Sequence, residues 1–180
     1  SDLEAVLDEI KKLAEEAHKR NEEVDKESAK LVKEAHKVNE DVDKESAEIV
    51  KRIDEEKKED RDKVRTMIRE LKKKYEDVAR RNKKILDELE EKYDRLRKDN
   101  DRILDEIRRK VEDVERKDKD GTERVKRLKD ELRRLLKEVK DSLEELDRML
   151  EEWKERVRRS LEELRKRAKE WEDKLRESLR

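Results

Sequence analysis

The chain of 180 residues carries 55 basic and 56 acidic side chains, a net charge of −1, one Gly, two His, and no Pro, Cys or Phe. So few turn residues exclude a β-sandwich, a doubly wound fold and a loop-rich enzyme. The absence of Cys excludes a disulfide, a thiolate metal site and a cysteine nucleophile, and leaves the redox compartment undetermined. No uncharged run is long enough to span a membrane or to read as a signal peptide.

The first segment, 3–53, decides between disorder and helix. Leu, Ile and Val supply only 40 of 180 residues, close to the level at which a chain cannot bury enough apolar surface to fold. Periodicity settles the matter. Leu3, Val6, Ile10, Leu13, Ala17, Asn21, Val24, Ser28, Leu31, Ala35, Asn39, Val42, Ser46, Ile49 and Ile53 follow in steps of three and four. Such steps draw one stripe along a helix, and the positions between them are mostly Glu, Lys and Arg, which are good helix formers.

Two breaks interrupt the stripe. No apolar residue stands between Ile53 and Val64, and Asp60 or Asp62 is placed to cap a second helix. Without Gly, that stretch is also compatible with a hinge or a continuous helix. The second break, KDKDGTE at 117–123, holds Gly121, suited to the residue just past a helix end, and Thr122, suited to an N-cap. The expectation is an all-α, elongated, untwisted, antiparallel three-helix bundle running up-down-up, with helices at 1–57, 61–117 and 122–180 in a single domain, 1–180. Each helix is about 85 Å long at 1.5 Å per residue. The first 57 residues carry −7 and the remaining two thirds +3 each, which favours pairing of the first helix with the other two.

An 18-residue offset recurs in all three helices. Ala17–Val32 (AHKRNEEVDKESAKLV) returns as Ala35–Val50 (AHKVNEDVDKESAEIV); Tyr75, Asn82 and Leu86 return as Tyr93, Asn100 and Leu104; Trp153 returns as Trp171. Eighteen residues are five turns of an ideal helix, so the repeat needs no supercoil. With this period, the Glu/Lys/Arg surface, the KDGTE connection and the missing Pro, Cys and Phe, the whole chain resembles the de novo designed, parametrically generated helical bundles. That resemblance implies an idealised, very stable scaffold with designed polar networks and no evolved ligand. It further implies a synthetic chain, without a natural cellular location and suited to recombinant cytoplasmic expression. A spectrin-like repeat differs in period and helix length, and an exchangeable apolipoprotein has a wider apolar face and prolines.

Polar residues on or beside the stripe are the candidate structural sites, since buried polar groups must find partners. In an up-down-up bundle, residues of the first two helices lie level when their numbers sum to about 117, and those of the second and third at about 239, within a turn. That ruler predicts two copies of a layer: His18 with Asn100, Asn21 and Ser142, and His36 with Asn82, Asn39 and Ser160. It also predicts Asp25 near Tyr93 and Asp43 near Tyr75. Trp153 falls near Ser28 and Trp171 near Ser46, so that each indole N–H donates to a serine. Layers that pair in one register penalise slipped alternatives.

The same residues exclude sharper chemistry. His18 and His36 stand about 27 Å apart on one helix and cannot share an ion, and no HExxH or Glu-x-x-His pattern occurs, so neither metal nor cofactor is expected. Ser142, His18 and Asp25 lack an oxyanion-hole turn, so the chain is not read as an enzyme. Short basic runs and four aromatics give no nucleic-acid surface. The leading expectation is a monomeric structural scaffold without a nucleic-acid, membrane or small-molecule partner. The alternatives are a homo-oligomer such as a trimer, using a face widened by His18, Asp25, Ala14, Ala29 and Val32, and a pH-responsive bundle through buried His18 and His36.

Overall fold

The computed structural model describes the backbone of residues 2–55 and 60–180, and the side chains of that set apart from 54 and 55. Three helices follow in order: α1 (Asp2–Glu55), α2 (Arg61–Lys117) and α3 (Glu123–Glu177). The three-helix bundle is the fold read from the sequence, and the boundaries differ by a few residues at the frayed ends. Each helix has at least one acidic residue in its first turn and one basic residue in its last, positions that the helix dipole favours for those charges.

The caps are made by short polar side chains. Asp60 Oδ1 accepts from the Asp62 backbone N–H at 3.0 Å, so Asp60 and not Asp62 supplies the cap of α2. The tight-turn, hinge or continuous-helix question for 54–63 rests largely on residues 56–59, which lie outside the described residues. Thr122 Oγ1 accepts from the Val125 N–H at 3.4 Å and caps α3. Between α2 and α3 the chain turns on two aspartates: Asp118 Oδ1 accepts from the Asp120 N–H at 3.1 Å, and Asp120 Oδ1 from the Thr122 N–H at 3.0 Å. Gly121 has no positive φ. The expectation that it stands just past the helix end is corrected: α2 ends at Lys117, and the Asx turns reverse the chain instead.

The chain divides into two compact units, the first of Ser1–Glu27 with Glu90–Glu151 and the second of Ser28–Leu89 with Glu152–Arg180. The boundary falls within the first copy of the α1 repeat, and the second copy, Ala35–Val50, lies wholly in the second unit. In unit 1, Leu3, Leu7, Ile10 and Ala17 of α1 meet Ile103, Leu104, Ile107 and Val111 of α2 and Leu132, Leu135 and Val139 of α3. In unit 2, Val50 and Ile53 meet Val64, Ile68, Leu71 and Leu175, with Trp171 packed against them. Every stripe residue from Leu3 to Ile53 is buried or half-buried, and among the described residues no large hydrophobic side chain is exposed. Among the described residues no helix is long and apolar enough to cross a membrane.

Candidate structural site: two polar layers

Cross-helix ion pairs between α1 and α2 recur every 18 residues. Lys110 Nζ lies 2.7 Å from Glu9, Lys92 Nζ 2.7 Å from Glu27, and Lys74 Nζ 2.8 Å from Glu45. The spacing that sequence reading used for the core was equally present in these surface charges, where it went unnoticed. The Lys110 ammonium, donating to Glu9, holds that carboxyl below its ordinary value. The Glu34 carboxylate likewise raises Arg81. Most α1 cross-helix pairs put the carboxylate on α1, as with Glu4–Arg124, Glu34–Arg81 and Asp43–Arg167, in keeping with its acidic balance.

In unit 2 three of the expected residues meet. Asn39 Nδ2 donates to Asn82 Oδ1 at 3.1 Å and to Ser160 Oγ at 2.8 Å. Asn82 Nδ2 returns a bond to Asn39 Oδ1 at 2.7 Å and donates to the Val78 carbonyl at 2.8 Å. All four amide hydrogens are thereby used, and the two asparagines are 4 % and 0 % exposed. Each amide satisfies the other, which is what burial of such groups requires.

In unit 1 the corresponding residues are joined by a single bond. Asn100 Nδ2 donates to Asn21 Oδ1 at 3.0 Å and to the Leu96 carbonyl at 2.9 Å. The buried Asn100 Oδ1 has no hydrogen-bond partner. Asn21 is half-buried, and Ser142 makes no hydrogen bond among the described residues. A groove of about 260 Å³ runs beside this layer, lined by Ala14, Ala17, His18, Asn21 and Ser142, against about 200 Å³ beside Asn39 and Ser160. The 18-residue offset maps Ala14 of this groove to the buried Val32, a larger side chain.

The histidines are a correction. Both lie at the surface, and His18 Nε2 sits 3.0 Å from Glu22 one turn along with its side chain 74 % exposed. Each follows the buried Ala17 or Ala35, and a one-residue step rotates a side chain about 100° away from the core face. The asparagine three residues on takes the level assigned to His18 and His36, within the one-turn tolerance of the ruler. Ala29 is exposed as well, so the widened α1 face is narrower than read.

The acidic and aromatic partners are also rearranged. Arg167 Nη1 donates to Asp43 Oδ2 at 2.5 Å, while the buried Asp43 Oδ1 has no hydrogen-bond partner. A guanidinium reaches from α3 farther than a phenol and carries the opposite charge. Tyr75 is half-buried, and that burial raises its hydroxyl pKa while the neighbouring Arg165 lowers it and Glu162 raises it. Tyr93 is fully buried. Asp25 is half-buried and makes no hydrogen bond among the described residues. Ser28 and Ser46 are buried, but neither indole N–H donates to a serine among the described residues. Trp153 instead lies under the Arg156 guanidinium, 4.7 Å from its centroid, and Trp171 packs apolar surface. Among the described residues no group of three potential metal ligands comes together.

No protein family matches the chain, and no curated protein does. Among solved structures, the chain is similar to one titled "Computationally designed three helix bundle", at 21 % identity over 97 % of this chain and 81 % of that one, with a TM-score of 0.36. That overlap is too low to support an argument about this chain, whose fold stands on its own helices and contacts.

Proposed function

We propose that this protein is a structural scaffold of the de novo designed kind, a non-catalytic monomer whose buried polar layers set the register of its helices. The reading rests on one observation: its most fully hydrogen-bonded buried polar side chains are directed at one another. Asn39, Asn82 and Ser160 bond among themselves, an arrangement that holds three helices level and leaves no amide hydrogen for a substrate. The 18-residue repeat of sequence, with Glu9, Glu27 and Glu45 each meeting a lysine of α2, supports construction from a repeated unit. Slippage of one helix by a turn would break each of these contacts together, and such contacts act against alternative registers.

The monomeric state is supported by the enclosed stripe of α1 and by the lack of a large exposed hydrophobic side chain among the described residues. An assembling subunit presents an apolar patch to its partner. The test is mass in solution by light scattering after size exclusion. A value near 22.1 kDa is expected, and a multiple of it at micromolar concentration overturns the monomer and transfers the polar layers to an interface. Exposure of His18 and His36 removes the burial on which a pH-responsive reading rested.

A further inference from the structure

The 18-residue offset exposes one place where the two units are filled differently. Tyr75 of α2 and Ala168 of α3 line a groove of about 400 Å³ in unit 2, with Leu71 beside them. Their counterparts in unit 1 are Tyr93 and Leu150, which are 0 % and 4 % exposed. Alanine for leucine removes three carbons from the wall, and Tyr75 is left half-buried at the edge of an apolar hollow. A hollow of this kind takes an apolar guest in place of the missing side chain.

The rim identifies the guest further. Lys72, Arg165 and Lys169 stand around the hollow together with Glu76 and Glu172. Lys72 is 3.2 Å from Glu172, and Arg165 is 2.6 Å from Glu162, whereas Lys169 makes no ion pair among the described residues. At the three cationic positions the 18-residue offset places Glu90, Asp147 and Glu151 in unit 1. The rim's three cations, set beside two carboxylates, are therefore a property of unit 2 and not of the repeated unit.

We propose that the groove between α2 and α3 at Tyr75 and Ala168 is a binding site for small aromatic carboxylates, with the ring on Leu71, Tyr75 and Ala168 and the carboxylate at Lys169. A flat ring matches a wall of one aromatic and two aliphatic side chains, and a mostly apolar hollow with a few polar groups at its edge is the usual form of a small-molecule site. The ammonium of Lys169 supplies orientation: it draws a carboxylate to one end and repels an amine.

The test titrates the full chain with 2-naphthoate, with 2-naphthalenemethanol as the neutral counterpart and 2-naphthylmethylammonium as the cationic one, by calorimetry and by chemical-shift changes at Tyr75. Saturable binding of the carboxylate is expected, in the roughly millimolar range of a ligand this small in a shallow groove. The order expected is carboxylate, then alcohol, then amine. Ala168→Leu, which fills the hollow and leaves the chain at least as stable, weakens binding about tenfold or more. Lys169→Gln weakens the carboxylate about threefold or more and leaves the alcohol unchanged. The proposal is overturned by absence of saturable binding, by undiminished binding to Ala168→Leu, by an amine that binds as well as the acid, or by a carboxylate preference that survives Lys169→Gln.

Discussion

The two units carry the same polar residues and treat them differently. Unit 2 closes the Asn39–Asn82 pair in both directions and adds Ser160, whereas unit 1 joins Asn21 and Asn100 by one bond and buries an acceptor without a partner. At the tyrosines the order is reversed: Tyr93 of unit 1 is fully buried, and Tyr75 of unit 2 borders a groove. In both cases a side chain other than the polar one also differs between the units. Val32 against Ala14 goes with the closed amide pair, and Leu150 against Ala168 goes with the buried tyrosine. A repeated residue acquires its environment from the volume of its neighbours, so sequence repetition does not imply energetic repetition.

The largest effect that can sharpen this contrast is expected from Leu150→Ala. It removes the same three carbons that unit 2 already lacks, from a site 4 % exposed, and should cost about 2–5 kcal/mol in urea unfolding. It should also bring Tyr93 into contact with solvent, read by its ultraviolet absorbance. A cost below about 1 kcal/mol would mean that the wall of unit 1 collapses to fill the gap.

Next in size are the asparagines. Asn82→Ala strands the buried Asn39 amide and should cost about 1–3 kcal/mol. Asn100→Ala removes an amide whose Oδ1 already lacks a partner, and should cost less. Equal costs in chemical denaturation would erase the difference between the two layers. Replacing Asn39 and Asn82 together by Leu should be close to neutral or stabilising, with the expected loss appearing as a mixture of registers.

Acid should act on unit 1 with smaller effect. Glu9 is held below the ordinary value of 4.5 by hydrogen bonding from Lys110, and Asp113 below 3.8 by hydrogen bonds from Arg116 and Lys117. A carboxyl whose folded pKa is depressed contributes stability that is present above its unfolded value and is lost as pH falls through its folded value. The urea midpoint should therefore hold from pH 7 to about 5 and decline below about pH 4.5, less steeply when salt has already screened these exposed pairs. Tyr75 works in the opposite sense. Its raised value, due first to burial, favours the neutral phenol, so its contribution is complete below pH 10 and is lost as pH rises through the folded value. A titration at 295 nm that shows Tyr75 ionising at or below 10.0 would contradict its burial.

The smallest change is expected at the histidines. His18→Ala and His36→Ala remove exposed side chains and should alter stability by no more than about 0.5 kcal/mol. A loss above about 1 kcal/mol in urea unfolding for either variant would restore a structural role for that histidine.

The stripe from Leu3 to Ile53, the three helices and their two breaks were legible in the sequence because they depend on local periodicity and capping chemistry, which act within a turn or two. The pairing of Asn39 with Asn82 and Ser160 was within reach for the same reason: a rise of 1.5 Å per residue and short connections place levels along a bundle to within a turn. Rotation about each helix axis was not accessible at that precision. One residue separates Ala17 in the core from His18 in water, and helical position alone did not tell a half-buried Asp25 from an exposed His18. The tertiary structure decided which amide found two partners, which tyrosine was covered and where Arg167 reached, because these outcomes depend on how closely three helices approach at a given level. That approach is set by the summed volume of side chains from all three, such as Val32, Ala14, Leu150 and Ala168, rather than by any stretch of sequence alone.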